Sequence, residues 1–162
     1  SKEYEKQKIY WLEEPFAPDR TADFGRLADN INISLASGEE FGTMYEFDEM
    51  LSNGKVDIVQ PDMSRCGGIT MAKKIADMAE LRGKKLIPHA FKTGILMGAT
   101  LQLIAAIPNA DMLEYCAQET VLSKNLVRHH FKLDSDGNVT IPDVPGIGVE
   151  LNEEVLDRYR RK

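Results

Sequence analysis

The stretch YWLEEPFAP, residues 10–18, decides how the rest of the chain is read. Strand-forming residues 9–12 run into Glu13 and Glu14, and Pro15 stops the run. Burying charge is expensive, so two carboxylates closing an apolar strand are either solvated or placed for a purpose. The same arrangement recurs along the chain. The apolar runs 33–36, 56–60, 85–88 and 112–115 read as further strands, and polar residues stand at their ends. These are Glu39 in SGEEF, Asp62 in VQPDM, His89 in IPHAF and Glu114 in MLEY, spaced from Glu13 onward by 26, 23, 27 and 25 residues.

Helical patterns fill the intervals. Residues 19–30 form one, and residues 45–51 another that Asn53 and Gly54 terminate. Residues 69–82 place Ala72, Ile75, Ala76 and Ala79 on one face, with Gly83 as the stop. Residues 95–107 carry no charge and read as a largely buried helix, too short to span a bilayer. Strand–helix alternation of this kind predicts a parallel α/β sheet with right-handed crossovers, either doubly wound or a barrel. A doubly wound binding domain predicts a Gly-rich first turn, and EEPFAPDR has none. After residue 118 the pattern changes: a Gly-containing hairpin signal, SDGN at 135–138, leads into IPDVPGIGVEL, a Pro- and Gly-rich tail that wraps the fold.

In parallel α/β folds the carboxyl ends of adjacent strands converge on one face, so groups placed there share a site. Glu13 and Glu39 are hard oxygen donors suited to Mg2+. The absence of a Cys/His cluster argues against zinc and softer metals. Asp62 and His89 lie on neighbouring strand ends, where a carboxylate bound to an imidazole fixes its tautomer and makes a general base. Glu114 is placed to act as an acid or hydrogen-bond donor if burial raises its pKa. Lys92, three residues after His89, is a candidate contact for an anionic substrate. His129 and His130 lie beyond the repeat, the methionines read as core filling, and SRCGG lacks the ending of a phosphate loop.

Composition narrows the function classes. The 162 residues are 43% hydrophobic with a net charge of -6, which suits a soluble globular unit with a sizeable core. No basic run is present, which argues against nucleic acid and an anionic membrane surface as partners. Cys66 and Cys116 give no disulfide framework, and the charged N-terminal residues show no apolar leader; a reducing, cytoplasmic setting is expected.

The motifs WLEEP (11–15), SGEEF (37–41), VDIVQPDMSRCGGIT (56–70), IPHAFKTGI (87–95), IPNADMLEY (107–115) and IPDVPGIGVEL (141–151) together resemble the enolase superfamily, specifically its mandelate racemase/muconate lactonizing enzyme group. The resemblance implies a partial (β/α)8 TIM-type barrel, comprising strands four to eight and the C-terminal tail. It implies that Glu13 and Glu39 are two of three Mg2+ ligands, that Asp62 and His89 form the base dyad, and that Glu114 stands against the substrate carboxylate. Gly67 and Gly68 would shape their loop, and Glu14 would support Glu13 or a neighbour. The chemistry implied is removal of the proton next to a carboxylate, for which this superfamily pairs a Lys or His base with Mg2+. A sugar-acid dehydratase is the leading expectation. A racemase or epimerase of a 2-hydroxy acid is the alternative, as is a non-catalytic half-barrel that assembles with a separate N-terminal half. The third metal ligand and the capping domain are expected outside these residues, which predicts negligible turnover by the chain alone. Open sheet edges predict a homo-oligomer.

Overall fold

The apolar runs become short parallel strands, and helices follow most of them. The structure, a computed structural model, describes residues 2–118 and 120–161. A first helix α1 (Lys2–Lys6) precedes β1 (Trp11–Glu13), α2 (Thr21–Ala28), β2 (Ser34–Ser37) and α3 (Met44–Glu49). Then come β3 (Ile58–Val59), α4 (Gly68–Glu80), β4 (Lys85–Leu86), β5 (His89–Ala90), α5 (Gly94–Ala105) and β6 (Glu114–Tyr115). Strands β1 to β4 pair in chain order, all parallel, and β5 pairs parallel with β6.

The expected strand 85–88 is divided, and proline is the reason. Pro88 has no N–H to donate to a ladder. Lys85 and Leu86 pair with Ile58 and Val59, while His89 and Ala90 turn to Glu114 and Tyr115 on the other side. Ile87 N still donates to Val59 O, and Pro88 O accepts from Glu114 N, so the wall is continuous through the break. Other boundaries also move. Lys8 has φ 55°, which delays β1 to Trp11. The helix expected over 45–51 begins at Met44 and leaves α geometry after Glu49, closing in a π-helical turn, Met50–Gly54. Thr43 caps its start reciprocally with Glu46. The tail holds two short helices that the sequence pattern did not predict, α6 (Val121–Lys124) and α7 (Glu153–Tyr159). Neither buries a residue, so neither carries a strong apolar stripe.

Side-chain alternation along the strands separates two interiors. Leu35, Val59 and Leu86 face the helices and join Phe24, Phe47, Met50, Ile75 and Leu103 in the main core. Trp11, Ala36, Ile58 and Ile87 cluster on the opposite face, the inside of the curved wall. Glu13, Gln60 and His89 follow Trp11, Ile58 and Ile87 by two residues, so that period places them on this inner face. Glu13 ends β1 and Gln60 follows β3, whereas His89 and Glu114, expected to close their strands, open β5 and β6, because pairing resumes only after Pro88. Among the described residues no helix is long and apolar enough to cross a membrane.

Candidate active site

Asp62 anchors the site. Its side chain is fully buried, and both oxygens are occupied. Oδ1 accepts from Ser64 N at 2.7 Å and Ser64 Oγ at 2.6 Å, a local turn that fixes the carboxylate plane. Oδ2 meets His89 Nδ1 at 2.9 Å and accepts from Lys92 Nζ at 2.7 Å. Burial pushes the Asp62 carboxyl up, but the hydrogen bonds from His89, Lys92 and Ser64 outweigh it and hold the group well below the usual carboxylate range. The same contact with Asp62 raises the His89 pKa against the opposing effect of burial.

With Nδ1 committed to Asp62, the other ring nitrogen of His89 faces Glu39. Its Nε2 lies 3.5 Å from Glu39 Oε2. Glu39 reaches this point through Gly38, whose φ of 135° is open to glycine. A Cβ on Gly38 would stand 3.2 Å from Gln60 N and 3.0 Å from Phe47 Cε1. Gly38→Ala is therefore expected to lower unfolding stability by about 1–3 kcal/mol in a denaturant titration; unchanged stability would refute the strain. The neighbouring Glu40 pairs with Arg65, leaving Glu39 the inward acid of the two.

Glu114 sits directly opposite His89 in the β5–β6 register. Its Oε2 is buried without a hydrogen-bond partner. Burial raises its pKa, with His89 opposing and the charges of Glu13, Glu39 and Glu14 adding to the rise. Glu39, His89 and Glu114 bring one ligand atom each within 4.8 Å of one another, a carboxylate/imidazole group able to hold a metal ion.

Glu13 stands apart from that trio. Its Oε2 accepts from Trp11 Nε1 at 3.0 Å and Gln60 Nε2 at 2.8 Å. Glu14, at φ 37°, crosses toward β2, and its Oε1 accepts from Ser37 Oγ at 3.1 Å. Burial raises the Glu14 pKa, the Ser37 hydrogen bond lowers it, and the Glu39 charge raises it again. Lys92, read in the sequence as a substrate contact, is placed on Asp62 and on Ser64 Oγ at 2.9 Å.

Two contributors escaped the sequence reading. Gln60 is 2% exposed and holds Glu13; its position two residues after Ile58 on the inner face was the available signal. Ser64 is recognisable as the third residue of an Asp-x-Ser turn.

A Mg2+ site can be tested against this geometry. Glu13, Glu14, Glu39 and Glu114 act on one another electrostatically, and Glu114 leaves a buried oxygen unpaired. Hard oxygen donors with excess negative charge fit a divalent cation such as Mg2+.

Known proteins agree with this architecture. D-galactarolactone cycloisomerase of Agrobacterium fabrum (strain C58 / ATCC 33970) is 34% identical over 160 residues, covering 94% of this chain and 42% of that protein. Arabinonate dehydratase of Saccharolobus solfataricus is 33% identical over 158 residues, covering 98% of this chain and 42% of that protein. The crystal structure of a mandelate racemase/muconate lactonizing enzyme from Jannaschia sp. CCS1 superimposes with a TM-score of 0.84 at 34% identity, covering 94% of this chain and 39% of that one. The chain thus spans about two-fifths of the length of these relatives, and its parallel strands correspond to part of a barrel. The family model for the enolase C-terminal domain-like fold matches residues 1–155, and the chain belongs to that family.

Proposed function

We propose that these residues supply the base side of a Mg2+-dependent active site that removes the proton next to a carboxylate, and that the reaction is dehydration of a sugar acid. The observation that carries this reading is the dyad: a buried Asp62 holds His89 Nδ1 at 2.9 Å and leaves Nε2 directed at Glu39. The names of two relatives, an arabinonate dehydratase and a galactarolactone cycloisomerase, support a sugar-acid substrate class.

In this reading Glu13 and Glu39 would hold Mg2+, and the cation would offset the negative charge that develops on the substrate carboxylate. His89 Nε2 accepts the α-proton, and Asp62 stabilises the resulting imidazolium. The protonated His89 then returns the proton to the departing β-hydroxyl, so the net loss is one water. Glu114, across the register from His89, offers a hydrogen bond to the substrate from its protonated form. Lys92 steadies the Asp62 charge. Free thiols at Cys66 and Cys116 support a reducing, cytoplasmic setting. The edges of β1 and β6, each paired on one side only among the described residues, support completion by further strands and a homo-oligomer.

A panel of sugar mono- and diacids, assayed for 2-keto acid formation with Mg2+ and with EDTA, tests the reading. The chain alone is expected to turn over negligibly, and the same residues within a polypeptide of the relatives' full length are expected to dehydrate at least one acid in a Mg2+-dependent way. Absence of both dehydration and α-deuterium exchange across the panel in the longer polypeptide would overturn it.

A further inference from the structure

The geometry points to a second cation site beside His89, for a borderline divalent ion such as Zn2+ or Co2+, ligated by His89 Nε2, Glu39 and Glu114. The binding site rests on geometry alone and goes beyond the dehydratase reading; its inhibitory consequence rests on that reading. Along the chain these residues are far apart and no Cys/His cluster exists; the fold creates a mixed nitrogen and oxygen set that linear spacing concealed.

Three observations carry it. First, the three ligand atoms already lie within 4.8 Å of one another, and Glu39 Oε2 is 3.5 Å from His89 Nε2. Neighbouring ligands around tetrahedral zinc, at bond lengths of 2.0–2.2 Å, stand about 3.3–3.6 Å apart. The Glu39–His89 edge is therefore at coordination spacing, and only Glu114 must close in. Second, the Oε2 of Glu114 is buried with no hydrogen-bond partner, and a ligated cation would satisfy it. Third, His89 Nδ1 is held at 2.9 Å by Asp62, the arrangement that orients a metal-binding imidazole and increases its basicity.

Selectivity follows from donor chemistry. Mg2+ favours oxygen ligands in octahedral geometry, whereas imidazole suits Zn2+ and Co2+. Glu39 is common to this trio and to the Glu13–Glu39 pair assigned to Mg2+, so the two sites share one carboxylate. An ion on Nε2 also occupies the lone pair that would abstract a proton. The site is accordingly inhibitory: Zn2+ disables the base.

The test uses the chain without an affinity tag, carrying His129→Asn and His130→Asn so that His89 is the remaining histidine of three. Zn2+ is titrated while the ring nitrogens are followed by 15N NMR, and Co2+ affinity is measured by its visible absorption. The expected result is saturation at one equivalent, with Nε2 of His89 shifting and Nδ1 remaining protonated. Glu114→Gln is expected to weaken Co2+ binding at least about tenfold, and Asp62→Asn by about 10–100-fold. A His89 ring unmoved at one equivalent of Zn2+, no saturable binding, or Co2+ affinity unchanged in Glu114→Gln would each overturn the site.

Discussion

Replacing Asp62 by alanine is expected to lower folding stability by about 3–5 kcal/mol, because it strands one member of a buried ion pair. The Asp62 side chain is fully buried and that of His89 is 8% exposed, so water cannot take over the lost contact at the ring. Lys92, at 37% side-chain exposure, can turn to solvent and adds little to the loss. Ser64 N and Oγ lose their acceptor as well, which loosens the turn leading into α4. Urea unfolding of the 162-residue chain measures the difference; a change below about 1 kcal/mol, the range of exposed pairs, would show that the dyad does not hold the fold.

The same pair sets a pH dependence. Asp62 has a folded pKa depressed below its ordinary 3.8, so its contribution is fully present above that value and is lost as pH falls further. His89 has a folded pKa raised above its ordinary 6.5, so its contribution is fully present below 6.5 and is lost as pH rises through the raised value. The pair therefore stabilises most between about pH 4 and 6.5. In Asp62→Ala the decline on the alkaline side should flatten, since the contact that raises His89 is gone. Stability measured from pH 3 to 9 in both proteins checks the sign, and an alkaline decline of equal size in the variant would contradict it.

Much of this was legible in the sequence for a simple reason. A strand buried on both faces must be apolar, so a charged residue closing each run marks the strand's carboxyl end. That logic placed Glu13, Glu39 and Asp62 at or just past the ends of β1, β2 and β3, whereas His89 and Glu114 open β5 and β6. It could not locate side-chain directions, which depend on local turns. Glu39 swings toward His89 because Gly38 adopts φ 135°, and Glu13 is fastened to Trp11 and Gln60. The acids that looked like neighbours in the sequence are thus held by different partners. Strand limits were equally hidden: Pro88 divides one apolar run between two pairings, a tertiary event that composition does not encode. In the tail, the hairpin expected at residues 135–138 closes as an antiparallel bridge between Leu133 and Val139, while the remainder resisted reading because another isolated bridge, Val127 with Leu151, holds it in place of a periodic ladder.

Substituting His89 by asparagine is expected to reduce α-proton exchange by a factor of about 10^2–10^4, the usual contribution of a positioned general base. Asparagine keeps a polar amide of similar reach, so Asp62 retains a donor and the fold should survive, whereas the group that takes the proton at Nε2 is gone. The assay follows deuterium entering the α-position of a sugar acid in D2O, with the residues in a polypeptide of the relatives' full length. Exchange isolates proton abstraction from loss of the hydroxyl, so the result reports on His89 as base and not on its second role as acid. Mg2+ affinity should change little, because the residues assigned to that cation are Glu13 and Glu39. Exchange retained at the parent rate, with Mg2+ binding intact, would move the base elsewhere in the barrel and leave Asp62 and His89 as a buried structural pair. Exchange lost together with Mg2+ binding would instead place His89 among the ligands, the outcome in which the Glu39–His89–Glu114 trio, and not the Glu13–Glu39 pair, is the principal cation site.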